Sequence, residues 1–285
     1  TLSKKMFLKI IAIRLLPLLT IVLGSLLVIR TLWGVLASRK IEWKEFKPLD
    51  LDLLDMVLLI SGGFVVLGEV ISPLFSITLV ELVASNLSIE LTQSLKIFFG
   101  YLFMAIPPLG IIYYQIKSFE KKIILKKDYF QFNFLPIKDS FFQGFKGFLM
   151  IIPFVLLVSL IMNLLVDNQN GSNPLLEIVL NSNNYLSFLL LFLTTTFLAP
   201  IFEEVIFRGV LLPILSREFG IILGITISAF IFALAHLSIG EMIPLFTLGI
   251  GLGTARLISG RLSSSVIMHS LWNGMTFLNL FLLRT

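Results

Sequence analysis

Long apolar stretches separated by short polar segments dominate the sequence. A helix that crosses a bilayer needs roughly 20 mostly apolar residues, and eight stretches approach that length. They are residues 7–29, 53–80, 95–116, 147–166, 185–202, 219–237, 242–258 and 263–283. The apolar runs are continuous and do not alternate as the strands of a membrane barrel do. The pattern predicts an all-α, polytopic membrane bundle of about eight transmembrane helices.

The composition excludes the soluble alternatives. Of the 285 residues, 57% are hydrophobic and 14% are charged, so too few polar side chains remain to cover a soluble fold or to keep a disordered chain solvated. The mean hydropathy of +0.99 agrees with a membrane protein. Because the chain has no cysteine, a disulfide framework, a thiolate zinc site and a cysteine nucleophile are also excluded.

Lysine and arginine alternate between successive connections. Residues 30–52, 117–146, 208–218 and 256–262 are basic, whereas 81–94, 167–184 and 238–241 carry no Lys or Arg. The positive-inside rule places basic connections in the cytoplasm. The net charge of +5 is therefore assigned to topology rather than to nucleic-acid binding. Lys4, Lys5 and Lys9 disagree with this assignment, since they would lie outside.

The outer connections include an Asn-rich loop. Turn signals at Asn170-Gly171 and Asn173-Pro174 predict that residues 167–184 form an exposed outer loop.

We expect an N-terminal transmembrane region of about three helices over 1–144 and a core of about five helices over 145–285. The protein is expected to be a multi-pass protein of the bacterial plasma membrane, with an organelle membrane as the alternative.

Ionisable residues within the apolar segments point to chemistry, because such groups are costly in a bilayer. The only two histidines, His236 and His269, both lie in apolar stretches, and Glu203 and Glu204 are adjacent. Two neighbouring carboxylates repel each other, so one of them needs a proton or a basic partner.

Helical spacing distributes these residues over distinct faces. Glu204 and Arg208 are four residues apart and can pair, whereas Glu203 faces about 100° away and is free to hold water. Phe232 shares a face with His236, and His269 shares a face with Asn273. A turn near Phe219-Gly220 would return Glu203 and His236 to a similar depth, each about 24 Å from the turn. Pro200 is expected to break or kink the helix just before the acids.

Three motifs in order resemble the CAAX protease and bacteriocin-processing family, also called the Abi family. They are EEVIFR at 203–208, FALAH at 232–236 and HSLWN at 269–273, which are similar to the EExxxR, FxxxH and HxxxN motifs of that family. The resemblance covers about 145–285. It implies an integral-membrane endopeptidase similar to the type II CAAX prenyl endopeptidases, whose best-known eukaryotic members remove three residues from prenylated proteins.

The resemblance also implies roles for the motif residues. Glu203 would be the general base, and His236 would help to hold and activate water. His269 and Asn273 would donate hydrogen bonds to the oxyanion. Glu204, Arg208 and Phe232 would support them. The partners would be the bilayer and a membrane-associated protein or peptide substrate, and no nucleic acid.

Alternatives remain open at this point. We favour a metal-free glutamate mechanism without a cofactor, but Glu203, His236 and His269 also make a two-histidine, one-carboxylate donor set for zinc. A catalytically silent scaffold or immunity protein on the same fold is a further alternative. A transporter would spread its polar residues over more helices and show inverted repeats, and neither feature is found.

Two other sequence features do not require a catalytic explanation. The glycines of GIGLGTA at 249–255 lack the strand and the spacing of a dinucleotide site, so they predict close helix packing. Glu69 and Arg14 are lone intramembrane charges, each expected to pack against a polar group or to line a cavity.

Overall fold

The structure, a computed structural model, describes residues 15–37, 40–46, 51–84, 86–120, 131, 133–165 and 184–283. The predicted loop turns at 170–174, the basic run at 121–127, Arg14 and the three N-terminal lysines lie outside these residues. Within them the chain forms eight helices and no strand, which confirms the all-α prediction. The helices are α1 (Leu16–Leu36), α2 (Leu53–Val83), α3 (Ile89–Glu120), α4 (Ile137–Leu165), α5 (Tyr185–Phe219), α6 (Ile221–Ala235), α7 (Met242–Ser259) and α8 (Leu262–Leu283).

Six of these helices are long and apolar enough to cross a bilayer: α1, α2, α3, α4, α5 and α7. The expected number was about eight. α6 has only 15 residues and a length of about 22 Å, which is less than the roughly 30 Å of a hydrocarbon core. α8 is long enough, but Ser263, His269, Asn273 and other polar positions interrupt its apolar character. The polytopic helical bundle is confirmed, with six candidate spans.

The acidic motif lies in an uninterrupted helix, which corrects the sequence prediction. We expected a span to end near 202 and a basic connection at 208–218, yet α5 runs without a break from Tyr185 to Phe219. Pro200 does not break it, because the preceding turn widens to π-helical geometry over Thr194–Leu198. A second π-helical stretch covers Val205–Leu211 and contains Arg208, which is therefore a buried helix residue.

The turn after α5 is where the sequence predicted it. Gly220 has φ +83, a left-handed value that suits glycine, and it ends α5 and begins α6. The hairpin of α5 and α6 packs against α7, and α7 packs against α4 and α8.

Gly249 permits the close approach of α6 and α7. A Cβ atom at this position would lie 2.9 Å from the Ala229 Cβ atom, so no larger residue fits without movement. Close packing is thus the role of this glycine, as the sequence indicated.

The N-terminal helices pack directly on the C-terminal ones. α1 contacts α4, and α3 contacts α5. The predicted boundary between 144 and 145 lies inside α4 and stays a prediction. α3 packs against α5, so side chains of α3 can reach the polar residues of α5.

Candidate active site

Both histidines approach the same carboxylate. Nε2 of His236 lies 4.0 Å from Oε2 of Glu203, and Nε2 of His269 lies 3.8 Å from the same oxygen. Glu203 is buried, with 8% of its surface exposed, and within the described residues its Oε2 atom has no hydrogen-bond partner. The two imidazoles therefore flank this oxygen without a direct hydrogen bond to it, which leaves the oxygen available to a water molecule.

The two adjacent acids differ in their partners. Glu204 is fully buried, and its Oε1 atom accepts hydrogen bonds from Arg208 Nη1 at 2.9 Å and from His269 Nδ1 at 3.0 Å. Glu203 faces a different side of the helix, as the 100° separation predicted. The sequence thus identified the Glu204–Arg208 pair correctly, but it did not indicate that Glu204 also holds His269.

Arg208 is held from three sides. It pairs with Glu204, its Nη2 atom donates to the carbonyl oxygen of Gly249 at 3.1 Å, and its guanidinium lies 4.3 Å from the centre of the Phe232 ring. A cation against an aromatic face is stabilised further when water is excluded, and Phe232 is fully buried. Arg208 therefore ties α5 to α6 and α7 behind the acids.

The hydrogen bonds of the histidines fix which ring nitrogen faces Glu203. His236 Nδ1 lies 2.8 Å from the Phe232 carbonyl oxygen, and because a carbonyl only accepts, this nitrogen must donate. In His269 the equivalent donor, Nδ1, points at Glu204. Both Nε2 atoms are consequently directed toward Glu203. The Phe232 ring packs edge-on against both imidazoles and helps to fix their planes.

Asn273 is anchored by a hydrogen bond to the carbonyl oxygen of Thr195. This oxygen lacks a backbone donor because of Pro200. In the π-helical turn the Ala199 N–H donates to the Thr194 carbonyl, five residues back. The next donor in this series would be Pro200, which has no N–H group. The Thr195 carbonyl instead accepts from Asn273 Nδ2 at 2.9 Å. One N–H of the Asn273 amide is thus used for anchoring, and the second remains for a ligand.

A cavity of about 440 Å³ gives access to these groups. Glu203, His236 and Asn273 line it, together with Trp272 and mostly apolar side chains of α4, α5, α7 and α8. His269 is 98% buried and lies behind Glu203. The arrangement places a carboxylate, an imidazole and an amide donor around one accessible cavity. These groups can together hydrolyse a carbonyl compound.

Several residues near the site carry no motif and were not predicted. Tyr101 of α3 and Glu241 of the α6–α7 connection line the cavity, and Glu69 of α2 lies within electrostatic range of Glu203. Glu69 is partly buried but is not among the residues that line this cavity, so its expected role stays a prediction. Only an alignment of related sequences would have distinguished Tyr101 from the other aromatic residues of the apolar segments.

The donor set fits zinc in kind but not in spacing. Two imidazole Nε2 atoms and a carboxylate oxygen are common zinc ligands. Bonds of about 2.1 Å in a tetrahedral shell require ligand atoms about 3.4 Å apart, whereas Glu203 Oε2 lies 3.8 and 4.0 Å from the two nitrogens. Across the part of the chain that the structure describes, no group of three His, Asp or Glu residues is arranged to hold a metal ion.

Comparison with known proteins identifies one related family. Residues 185–275 match the family described as type II CAAX prenyl endopeptidase Rce1-like. No curated protein and no solved structure matches the chain. The matched segment contains all three motifs and supports a CAAX-type membrane endopeptidase. The match confirms the resemblance to the CAAX protease family that the three motifs indicated.

Proposed function

We propose that this protein is an integral-membrane endopeptidase that hydrolyses peptide bonds at or within the bilayer, with Glu203 and His236 activating the attacking water. The observation that carries the proposal is the Oε2 atom of Glu203. It is buried, has no hydrogen-bond partner among the described residues, and lies about 4 Å from the Nε2 atoms of two histidines at the wall of a cavity.

The first step is attack by water on the peptide carbonyl carbon. A water molecule on the cavity side of Glu203 donates one hydrogen to the carboxylate and the other to the unprotonated Nε2 atom of His236. Glu203 removes the proton as the C–O bond forms. A positioned general base of this type contributes roughly 10²–10⁴-fold to the rate.

The negative charge that develops on the carbonyl oxygen needs donors. Asn273 supplies the N–H that is not bonded to Thr195. His269 donates from Nε2 only when its ring is doubly protonated, because Nδ1 already donates to Glu204. The donors of such oxyanion holes contribute roughly 3–4 kcal/mol each in other hydrolases.

The buried cluster contains two carboxylates, Glu203 and Glu204, and one permanent cation, Arg208. An uncompensated charge in such a low-dielectric environment is costly, so the carboxylates need a second positive charge or a proton when the oxyanion forms. In its doubly protonated form His269 would supply both a positive charge and an Nε2–H donor on the side of Glu203.

Collapse of the tetrahedral intermediate completes the reaction. The C–N bond breaks, and the proton held by Glu203 passes to the nitrogen of the leaving amine. The new carboxyl group takes the oxygen of the water. Glu204 and Arg208 take no part in bond making, and their role is to position Glu203, His269 and the surrounding helices.

A zinc-dependent version of the same peptidase would use Glu203, His236 and His269 as ligands. Zinc would supply a Lewis acid and a bound water of lowered pKa. The 3.8 and 4.0 Å separations favour the metal-free version.

The proposal is tested by cleavage of a membrane-peptide library with the purified protein. Mass spectrometry of the products should show new amino termini with the wild type and none with Glu203→Gln. Identical product patterns from both proteins, or no product from a folded wild type with any membrane peptide, would refute the assignment.

A further inference from the structure

Helices α3 and α5 lie side by side with a constant offset along the chain. Near their beginnings, Oε2 of Glu90 accepts a hydrogen bond from the backbone N–H of Asn184 at 3.1 Å, and these residues are 94 positions apart. Two turns later on each helix, Ile97 packs against a buried cluster that contains Leu191, and this pair has the same offset. The two helices therefore run in the same direction and in register.

α8 continues this register on another side of α5. Phe277 of α8 belongs to the same buried cluster as Leu191, against which Ile97 packs. One turn further along α5, the carbonyl oxygen of Thr195 accepts from Asn273 at 2.9 Å. Thr195 follows Leu191 by four residues and Asn273 precedes Phe277 by four residues, so α8 runs antiparallel to α5.

Tyr101 of α3 lies at the level of Asn273. It follows Ile97 by four residues, so it occupies the same face of α3 one turn further along. The cavity agrees with this register, because Tyr101, Thr195 and Asn273 all line it. The Tyr101 phenol and the Asn273 amide thus face one space from two different helices.

The Tyr101 hydroxyl has no hydrogen-bond partner in the part of the chain that the structure describes. The side chain is partly buried. It lies within electrostatic range of the Glu203 carboxylate, without a direct hydrogen bond to it. Buried polar groups in proteins are generally hydrogen-bonded, so a hydroxyl that faces a cavity without a protein partner is available to the molecule that enters the cavity.

The proposed mechanism has room for a donor that does not depend on the protonation of His269. Asn273 supplies one N–H group to the oxyanion, whereas His269 donates from Nε2 only when it is doubly protonated. A tyrosine hydroxyl carries its hydrogen at neutral pH and therefore donates without a further proton. A preorganised donor of this kind stabilises developing negative charge most effectively where water is excluded.

We propose that Tyr101 is a further catalytic residue, whose hydroxyl donates a hydrogen bond to the carbonyl oxygen of the scissile peptide bond beside Asn273. This inference rests on the proposed peptidase function. The hydrogen bond strengthens as the carbonyl oxygen becomes an oxyanion, and it weakens again when the tetrahedral intermediate collapses. No proton leaves Tyr101, so Glu203 still carries the proton from the water to the leaving amine.

Tyr101→Phe tests the proposal, because it removes the hydroxyl and keeps the ring. It should lower kcat by about 10²-fold, as the loss of one oxyanion donor does, with KM and Tm close to those of the wild type. Tyr113→Phe is the matched control, since Tyr113 lies on the same helix, is 60% exposed and does not line the cavity. The control should retain the wild-type kcat.

An unchanged kcat in Tyr101→Phe would overturn the proposal. A large loss of Tm would overturn it as well, because it would show that the hydroxyl bonds to the protein rather than to the substrate.

A phosphinic peptide analogue of a cleaved substrate separates transition-state stabilisation from a structural effect. Its phosphinyl oxygens mimic those of the tetrahedral intermediate, so the analogue reports on the oxyanion donors. Tyr101→Phe should weaken inhibition by this analogue by about the same factor as it lowers kcat/KM. Undiminished inhibition of Tyr101→Phe would contradict a contact with the oxyanion.

Glu203→Gln is assayed in parallel to separate this inference from the proposed function. If the wild type cleaves and Glu203→Gln does not, the peptidase function stands, and the results for Tyr101→Phe decide the role of Tyr101 alone. The absence of any cleavage that depends on Glu203 would overturn both proposals.

Discussion

Glu204→Gln is expected to destabilise the protein strongly, because it leaves Arg208 as a buried cation without its partner. Both side chains have 0% exposure, and their contact is 2.9 Å long. Breaking a buried ion pair by removing one partner costs about 3–5 kcal/mol. For soluble domains of comparable size this corresponds to a fall in Tm on the order of 10 °C.

The matched control is Glu218→Gln on the same helix. Glu218 pairs with Arg217 at the same distance of 2.9 Å, but the two side chains are 37% and 42% exposed. Exposed pairs contribute about 1 kcal/mol or less. Thermal unfolding in detergent, followed by the loss of monodisperse protein, should therefore separate the two variants although the substitution is the same.

A double variant isolates the cause. If the stranded charge is responsible, Glu204→Gln/Arg208→Met should recover part of the lost Tm, because the buried cation is then removed as well. A stable Glu204→Gln protein, or a double variant less stable than the single one, would refute the reasoning. Since Glu204 also holds His269, the Glu204→Gln protein that does fold should have lowered turnover, which the sequence alone did not indicate.

Three further predictions follow from the site. Asn273→Ala removes an oxyanion donor and should lower kcat by about 10²–10³-fold with little change in Tm, and an unchanged kcat would exclude Asn273 from the oxyanion hole. Pro200→Ala supplies an N–H group opposite the Thr195 carbonyl, so it should compete with Asn273 for that oxygen and lower kcat at constant KM. If the metal-free mechanism is correct, chelators should leave activity intact and elemental analysis should find less than one zinc per chain, whereas stoichiometric zinc required for activity would make Glu203, His236 and His269 ligands.

The sequence predicted the parts of the site that depend on local spacing. A four-residue interval on a helix places Arg208 over Glu204 whatever the tertiary fold, and a glycine with left-handed φ suits the turn at 220. The similar depth of His236 and Glu203 was predicted from this turn, which lies almost midway between them in the sequence. The family match then confirmed the resemblance that rested on the same motifs.

The features that the sequence did not predict depend on tertiary contacts or on non-standard helical geometry. The π-helical turns carry α5 past Pro200, whereas hydropathy alone placed the end of a span near 202. The contact of His269 with Glu204 joins two residues that are 65 positions apart in the sequence, and Tyr101 comes from a helix without a motif. Neither spacing nor composition encodes such long-range neighbours.

The most direct test of the central claim is the turnover of Glu203→Gln on a substrate cleaved by the wild type. The substitution preserves the shape of the side chain and removes the base. The account predicts a fall in kcat of about 10²–10⁴-fold, with substrate binding and Tm close to those of the wild type. A folded Glu203→Gln protein that cleaves at a near-normal rate would contradict the role of Glu203 as the general base.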